Sequence, residues 1–181
     1  MCHGSCLKYG EIFLTKSICA GKRVIEIGSK NINGSLRPLV ESFNPSKYIG
    51  VDIMSGTGVD SLFHCEDLVA HFFGNSFDIV IATELLEHVV NWKVCISNIK
   101  SICKPLGYIL LTTRSKGFPY HPCPVDLWRY ELSDFELIFS DFSIIDLRSD
   151  PQTPGVFLFA QKPLNYIEKD ISSFSIFKIK A

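Results

Sequence analysis

The chain has 181 residues, a formal net charge of −1, 46% hydrophobic and 20% charged residues. That length suits one domain with a sizeable core, and the composition excludes general disorder. Near-neutrality without a concentrated basic stripe argues against duplex nucleic acid as a partner, and no apolar run approaches the roughly 18 residues of a membrane span.

The opening residues, Met1 to Lys8, lack the long apolar core of a secretory leader. Seven cysteines without a C-x-x-C pair fit a reduced, cytoplasmic protein with mainly buried thiols. Cys2 and Cys6 flank His3, but no second pair at ligand spacing follows, so no metal is expected there.

Taken in chain order, a strand at 23–27 runs into Glu26-x-Gly28, a polar turn through Asn31 and Asn33 follows, and Gly34 leads into a helix at 35–42. A strand at 48–52 ends in Asp52. A strand at 59–63, a helix at 66–72 and a strand at 77–83 come next. A helix at 92–103, a strand at 108–113 and a helix at 133–139 continue the alternation. The last strands, 142–147 and 156–161, are joined by a Pro- and Gly-rich turn too short for another helix. That return makes one strand antiparallel. Near-continuous apolar runs such as Ile79-Val80-Ile81-Ala82 suit strands covered on both faces. The expected fold is α/β and Rossmann-like: a seven-stranded, mostly parallel sheet with a terminal antiparallel hairpin and helices on both faces. The domain is expected over 1–162, with a C-terminal tail over 163–181. There Phe174, Ile176 and Ile179 are expected to pack as helix or strand, or to cover a second copy in a homo-oligomer.

Ligands of open α/β sheets bind beyond the carboxyl ends of the strands, where strand order reverses. Glycine at 28 permits close approach of backbone to ligand, and Asp52 at the next strand tip suits a ribose diol. The loop reads Gly28-x5-Gly34, which matches neither the G-x-G-x-x-G of dinucleotide sites nor a P-loop. A nicotinamide-dependent oxidoreductase is therefore disfavoured.

Several motifs in order carry a resemblance. They are Val24-Ile25-Glu26-Ile27-Gly28, Tyr48-Ile49-Gly50-Val51-Asp52, and Phe77 through Thr83-Glu84-Leu85-Leu86-Glu87-His88. A Lys104-Pro105-Leu106-Gly107 turn into the fifth strand completes the set. Together they resemble the type 11 methyltransferase domain family of the class I S-adenosylmethionine (SAM)-dependent methyltransferases, over roughly residues 5–162. Leu106 stands where that family has the first glycine of its turn. The resemblance implies SAM as cofactor. It places Gly28, Ser29 and Asn33 along the loop, Asp52 and Ile53 at the ribose, and His64 and Cys65 at the adenine. His64 replaces the family's usual aspartate. Glu26 either braces the loop or meets the cofactor ammonium, and Glu84 either contacts the methionine part or packs on the next helix.

The segment from Arg114 to Tyr130, rich in proline and aromatics, is the candidate acceptor pocket. It resembles an H-x-x-P-x-D-x-W-R-[YF] signature found in a subset of these domains. His121 is the candidate general base, with an ordinary pKa near 6.5, and His88 is its rival. Asp126 either orients that imidazole or pairs with Arg129; the alternative for His121, Asp126 and Arg129 is bracing a lid, and for His88 it is starting a connecting loop. The expected activity is methyl transfer to a small-molecule acceptor, on oxygen or nitrogen. The alternative is a non-catalytic SAM-binding or partner-activating subunit.

Overall fold

Apolar residues at alternate strand positions feed two separate cores, one on each side of a single sheet, in a computed structural model that describes residues 3–179. On the strand Phe77–Thr83, Val80 and Ala82 join one core while Ile79 and Ile81 join the other. Successive side chains of a strand point to opposite faces, so an uninterrupted apolar run fills both.

The strands are β1 (Arg23–Ile27), β2 (Lys47–Asp52), β3 (Ser61–Leu62), β4 (Phe77–Thr83), β5 (Cys103–Arg114), β6 (Trp128–Arg129), β7 (Ser143–Ser149), β8 (Gly155–Gln161) and β9 (Phe177–Lys178). The main sheet has the order β3-β2-β1-β4-β5-β8-β7. The pairs from β3 to β5 are parallel, whereas β8 runs antiparallel to both β5 and β7. Order reverses between β1 and β4, which puts the switch point at their carboxyl ends. The seven-stranded Rossmann-like sheet with one antiparallel strand is thus the architecture expected from the sequence.

Helices α1 (Gly4–Phe13), α2 (Lys16–Cys19) and α3 (Arg37–Glu41) precede β2. Helices α4 (Leu68–Phe72), α5 (Trp92–Ile102) and α6 (Leu132–Ile138) follow β3, β4 and β6. Neither α1 nor α2 is expected from the pattern. The buried face of α1 is Ser5, Cys6, Tyr9 and Gly10, with no large aliphatic residue to mark a stripe. Gly10 is there for room: a Cβ on it would lie 2.2 Å from the Leu36 side chain. The Asn91 side chain accepts the Val94 N–H and starts α5. Glu131 and Asp134 form a reciprocal capping box on α6.

Three boundaries differ from expectation for local reasons. β3 is two residues long, not five, because the Asp60 carboxylate takes the Gly50 N–H at 2.7 Å where a strand partner would stand. β5 starts at Cys103, directly after α5, and bulges before Tyr108. Leu106 sits in that bulge at φ +63°. β7 runs later than expected and has a register break between Ile144 and Asp146.

The tail folds back on the same chain. Ile171 is buried, and Phe174 meets the edge of Trp92. β9 pairs antiparallel with β6, and the Ile179 N–H donates to the Leu127 carbonyl at 2.8 Å. Under α5 the ammonium of Lys100 is buried between both Asp141 carboxylate oxygens, at 2.7 and 2.8 Å, and the Ile138 carbonyl at 2.6 Å. Cys2, weighed above as a metal ligand, lies outside the described residues. Among the described residues no helix is long and apolar enough to cross a membrane.

Candidate functional site

A cavity of about 970 Å³, counting its open mouth, lies over the carboxyl ends of β1, β2 and β4. Gly28 forms its floor at φ +74°, a region that side chains rarely adopt. A Cβ there would also press the Leu85 side chain at 3.1 Å. Asp52 lines the adjoining wall, its two carboxylate oxygens accepting the Lys30 N–H at 3.0 Å and the Met54 N–H at 2.9 Å. An ionised carboxylate has about four acceptor positions, so roughly two remain for a ligand. Ile53, His64 and Cys65 line the same cavity, with Phe63 and Glu66 beside them.

Ser29, Asn33 and Glu26 stand around the cavity rather than on it. Ser29 is buried below the loop, its N–H donating to the Val51 carbonyl at 3.1 Å. Asn33 lies on the exposed turn, which is tied back by the Gly34 N–H to Asn31 Oδ1 at 3.1 Å. Glu26 is 2% exposed and accepts hydrogen bonds from the Tyr48 hydroxyl at 2.8 Å and Ser35 Oγ at 3.4 Å. Burial pushes its carboxyl up to about 7, against the pull of Tyr48, Arg37 and Ser35. Those contacts tie β1, β2 and the entry to α3 together. Glu84 reaches the cavity wall at φ +54°. Its carboxylate is engaged by Arg114 and by the Thr112 hydroxyl at 2.8 Å.

The proline-rich segment supplies Cys123, Pro124 and Val125 to the cavity wall. Asp126 lies between the two side chains named for it, with the His121 Nδ1 also 3.2 Å from the Pro119 carbonyl. It holds Arg129 through two contacts at 2.5 and 2.8 Å, and it takes the His121 N–H at 2.8 Å while its Oδ2 stands 3.0 Å from the His121 ring Nδ1. Burial alone would raise the Asp126 carboxyl; Arg129 and His121 hold it below the ordinary value. Trp128 donates its indole N–H to the Val89 carbonyl at 2.8 Å, locking the segment onto the loop that follows β4.

His88 and His121, offered as rivals, are neighbours: their rings meet edge to face with centroids 4.9 Å apart. His88 lines the cavity, and His121 stands behind it on the outer side, 22% exposed. His88 Nδ1 is 2.5 Å from the Val125 carbonyl. Burial works against charge on His121, but Glu87 and Asp126 outweigh it and raise its pKa.

Glu87 is the residue that sequence reasoning passed over. It is fully buried, with Oε2 accepting the Thr113 hydroxyl at 2.8 Å and Oε1 lying 3.7 Å from His88 Nε2 and 3.8 Å from His121 Nε2. Burial would raise its pKa, yet His121 and His88 bring it well below the ordinary carboxyl value. Its signal was the Glu87-His88 pair, which reads as the start of a connecting loop until residue 121 is brought alongside.

A methyltransferase domain family model matches residues 10–149. No curated protein matches the chain. Among solved structures, an S-adenosylmethionine-dependent methyltransferase from Mesorhizobium loti is similar with TM-score 0.62 and 15% identity, over 88% of this chain and 98% of that one. The Burkholderia thailandensis 1,6-didemethyltoxoflavin-N1-methyltransferase, solved with 1,6-didemethyltoxoflavin and S-adenosylhomocysteine, gives 0.67 and 12% over 87% and 78%. The [4+2]-cyclase SpnF gives 0.66 and 14% over 88% and 81%. At such identities the likeness carries the fold alone.

Proposed function

The chain belongs to the class I methyltransferase family, and on that premise we propose that it binds SAM in the cavity and methylates a small molecule. When bound, SAM supplies a methyl group already activated on a sulfonium centre. The observation that carries the reading is the pairing of Gly28 with Asp52 at the ends of neighbouring strands beside the switch point: open backbone next to a carboxylate with acceptor positions to spare.

In this reading Asp52 accepts the ribose hydroxyls, and backbone around Gly28 and Lys30 faces the amino-acid end. Ile53, His64 and Cys65 enclose the base. Glu26, Ser29 and Asn33 shape the loop from behind, and Glu84 closes the wall near the methionine part. The acceptor enters between His88 and the Pro124 and Val125 edge, where the proline-rich segment forms a changeable wall on a rigid sheet. Holding it in line there is the main task, since positioning is worth roughly 7–11 kcal/mol in such reactions. His88 and His121 are the nearest proton acceptors. Residues 1–162 act as the methyltransferase domain, with 163–181 as its tail, and the described tail residues 163–179 strap over α5 and β6.

The test is calorimetric binding of SAM against NAD, followed by transfer of labelled methyl across a panel of small hydroxyl and amine acceptors. Asp52→Ala is expected to weaken SAM by about 1–3 kcal/mol through lost hydrogen bonds to a charged group. Unchanged affinity in a folded variant removes Asp52 from the site. One observation favours a second reading, a SAM-binding or partner-activating subunit without turnover: the Nε2 of His88 is buried toward Glu87 rather than open to the cavity. SAM binding with no labelled product from any acceptor would decide for it.

A further inference from the structure

We propose that Glu87, His88 and His121 form a site for a divalent first-row transition ion of the zinc class, set in the wall of the cavity. One ligand atom from each of the three residues lies within 4.8 Å of the other two, and the Nε2 atoms of both histidines are the ones that approach Glu87 Oε1. Two of the separations are 3.7 and 3.8 Å. Zinc binds imidazole nitrogen and carboxylate oxygen at about 2.0–2.2 Å, which puts tetrahedral ligand atoms roughly 3.4 Å apart. A contraction of a few tenths of an ångström brings each Glu87–imidazole separation to that value, and the two imidazoles, within 4.8 Å of each other, close the triangle by turning toward the ion.

Two of the three converging atoms are left over. Glu87 Oε1 and His88 Nε2 are both buried and make no hydrogen bond. Buried polar atoms are rarely left so, because each costs free energy unless something else meets it. The outward-facing atoms of the same three side chains are all engaged. His88 Nδ1 meets the Val125 carbonyl at 2.5 Å, and His121 Nδ1 lies 3.0 Å from the Asp126 carboxylate that Arg129 fixes in place. Glu87 Oε2 accepts from the Thr113 hydroxyl. An Nδ1–H donated outward leaves the Nε2 lone pair facing in, which is the arrangement around protein-bound metal ions.

Two imidazoles and one carboxylate suit zinc, iron(II) or cobalt(II) better than magnesium or calcium, which take oxygen ligands. Three protein ligands also leave a coordination position for an outside molecule. Of the three ligands only His88 borders the cavity, so a ring turn at His88 is what would bring that position to a bound acceptor's oxygen or nitrogen. This last clause rests on the methyltransferase reading; the ion site itself does not.

The experiment uses the full chain, stripped with a chelator and titrated with Co²⁺ while its visible d–d absorption is followed. Zn²⁺ competition then gives the affinity, all without SAM. One equivalent of Co²⁺ is expected, with absorption that Zn²⁺ displaces. Glu87→Gln and His121→Ala should each weaken binding by about a hundredfold or more, and Asp126→Asn by roughly 10–100-fold through the Nδ1 partner. Circular dichroism and urea unfolding of each variant separate loss of ligand from loss of fold, and the partly exposed His121 serves if Glu87→Gln does not fold. Wild-type affinity no tighter than that of folded His121→Ala overturns the site. So does a full equivalent of Co²⁺ retained by His88→Ala/His121→Ala. Because SAM is absent throughout, failure here leaves the methyltransferase reading standing, and failure to bind SAM leaves this one.

Discussion

Glu26→Gln removes a buried charge while keeping an oxygen for the Tyr48 hydroxyl and Ser35. Burial pushes the Glu26 carboxyl from its ordinary 4.5 up to about 7. The folded chain therefore holds this proton more tightly than the unfolded chain does. The resulting stability is fully present below pH 4.5 and is lost as pH rises through about 7. At 1.36 kcal/mol per tenfold change in proton affinity, the whole difference is about 3 kcal/mol. About 2 kcal/mol of it falls between pH 5.5 and pH 8, since the unfolded carboxyl is already mostly ionised at the lower value. Urea unfolding of the wild type and of Glu26→Gln, at both pH values, isolates this group from the others. The glutamine variant should gain about 2 kcal/mol on the wild type as pH rises. A difference constant to within about 0.5 kcal/mol would mean that Arg37 holds the carboxylate ionised in the fold, and the argument from burial would fail.

Two further perturbations test packing and backbone. Leu106 is 54% exposed at φ +63°, so Leu106→Gly sheds left-handed strain and forfeits little burial. It should stabilise the fold by up to about 1 kcal/mol in thermal denaturation, and a loss of stability would show that the leucine packs usefully. Lys100→Met leaves Asp141 buried without its cation, with Tyr166 still donating to it at 3.2 Å. A loss of about 3–5 kcal/mol in urea unfolding is expected, and a loss below about 1 kcal/mol would mean that water reaches the carboxylate.

The sheet was legible because its signals are local. Ile79 through Ala82 declares a strand buried on both faces whatever surrounds it, and the short turn before Gly155 forces the single antiparallel strand. The short elements were not legible. β6 and β9 are two residues each and exist through pairing across about fifty residues of chain, which no window of sequence contains. α1 hid because its packing face carries no large aliphatic residue: beside Tyr9 it is Ser5, Cys6 and Gly10, with Gly10 set close against Leu36. At the site, Gly28 and Asp52 were readable since each follows directly from its own strand end. The joining of Glu87 to His121 was not, as it depends on where the proline-rich segment lands. The same limit explains why His88 and His121 read as competitors when they are in contact.

The order of the main sheet leaves two open margins, and neither offers much to a second chain. One is β3, a stub of two residues. The other is β7, where the kink between Ile144 and Asp146 breaks the row of free backbone groups and the charged pair of Arg148 and Asp146 flanks it. Strands blunted in these ways template poorly, so growth of the ladder from one copy to the next is suppressed at both ends. The exposed Ile144 and Ile145 side chains therefore sit on a rim that resists zipping even where it is oily.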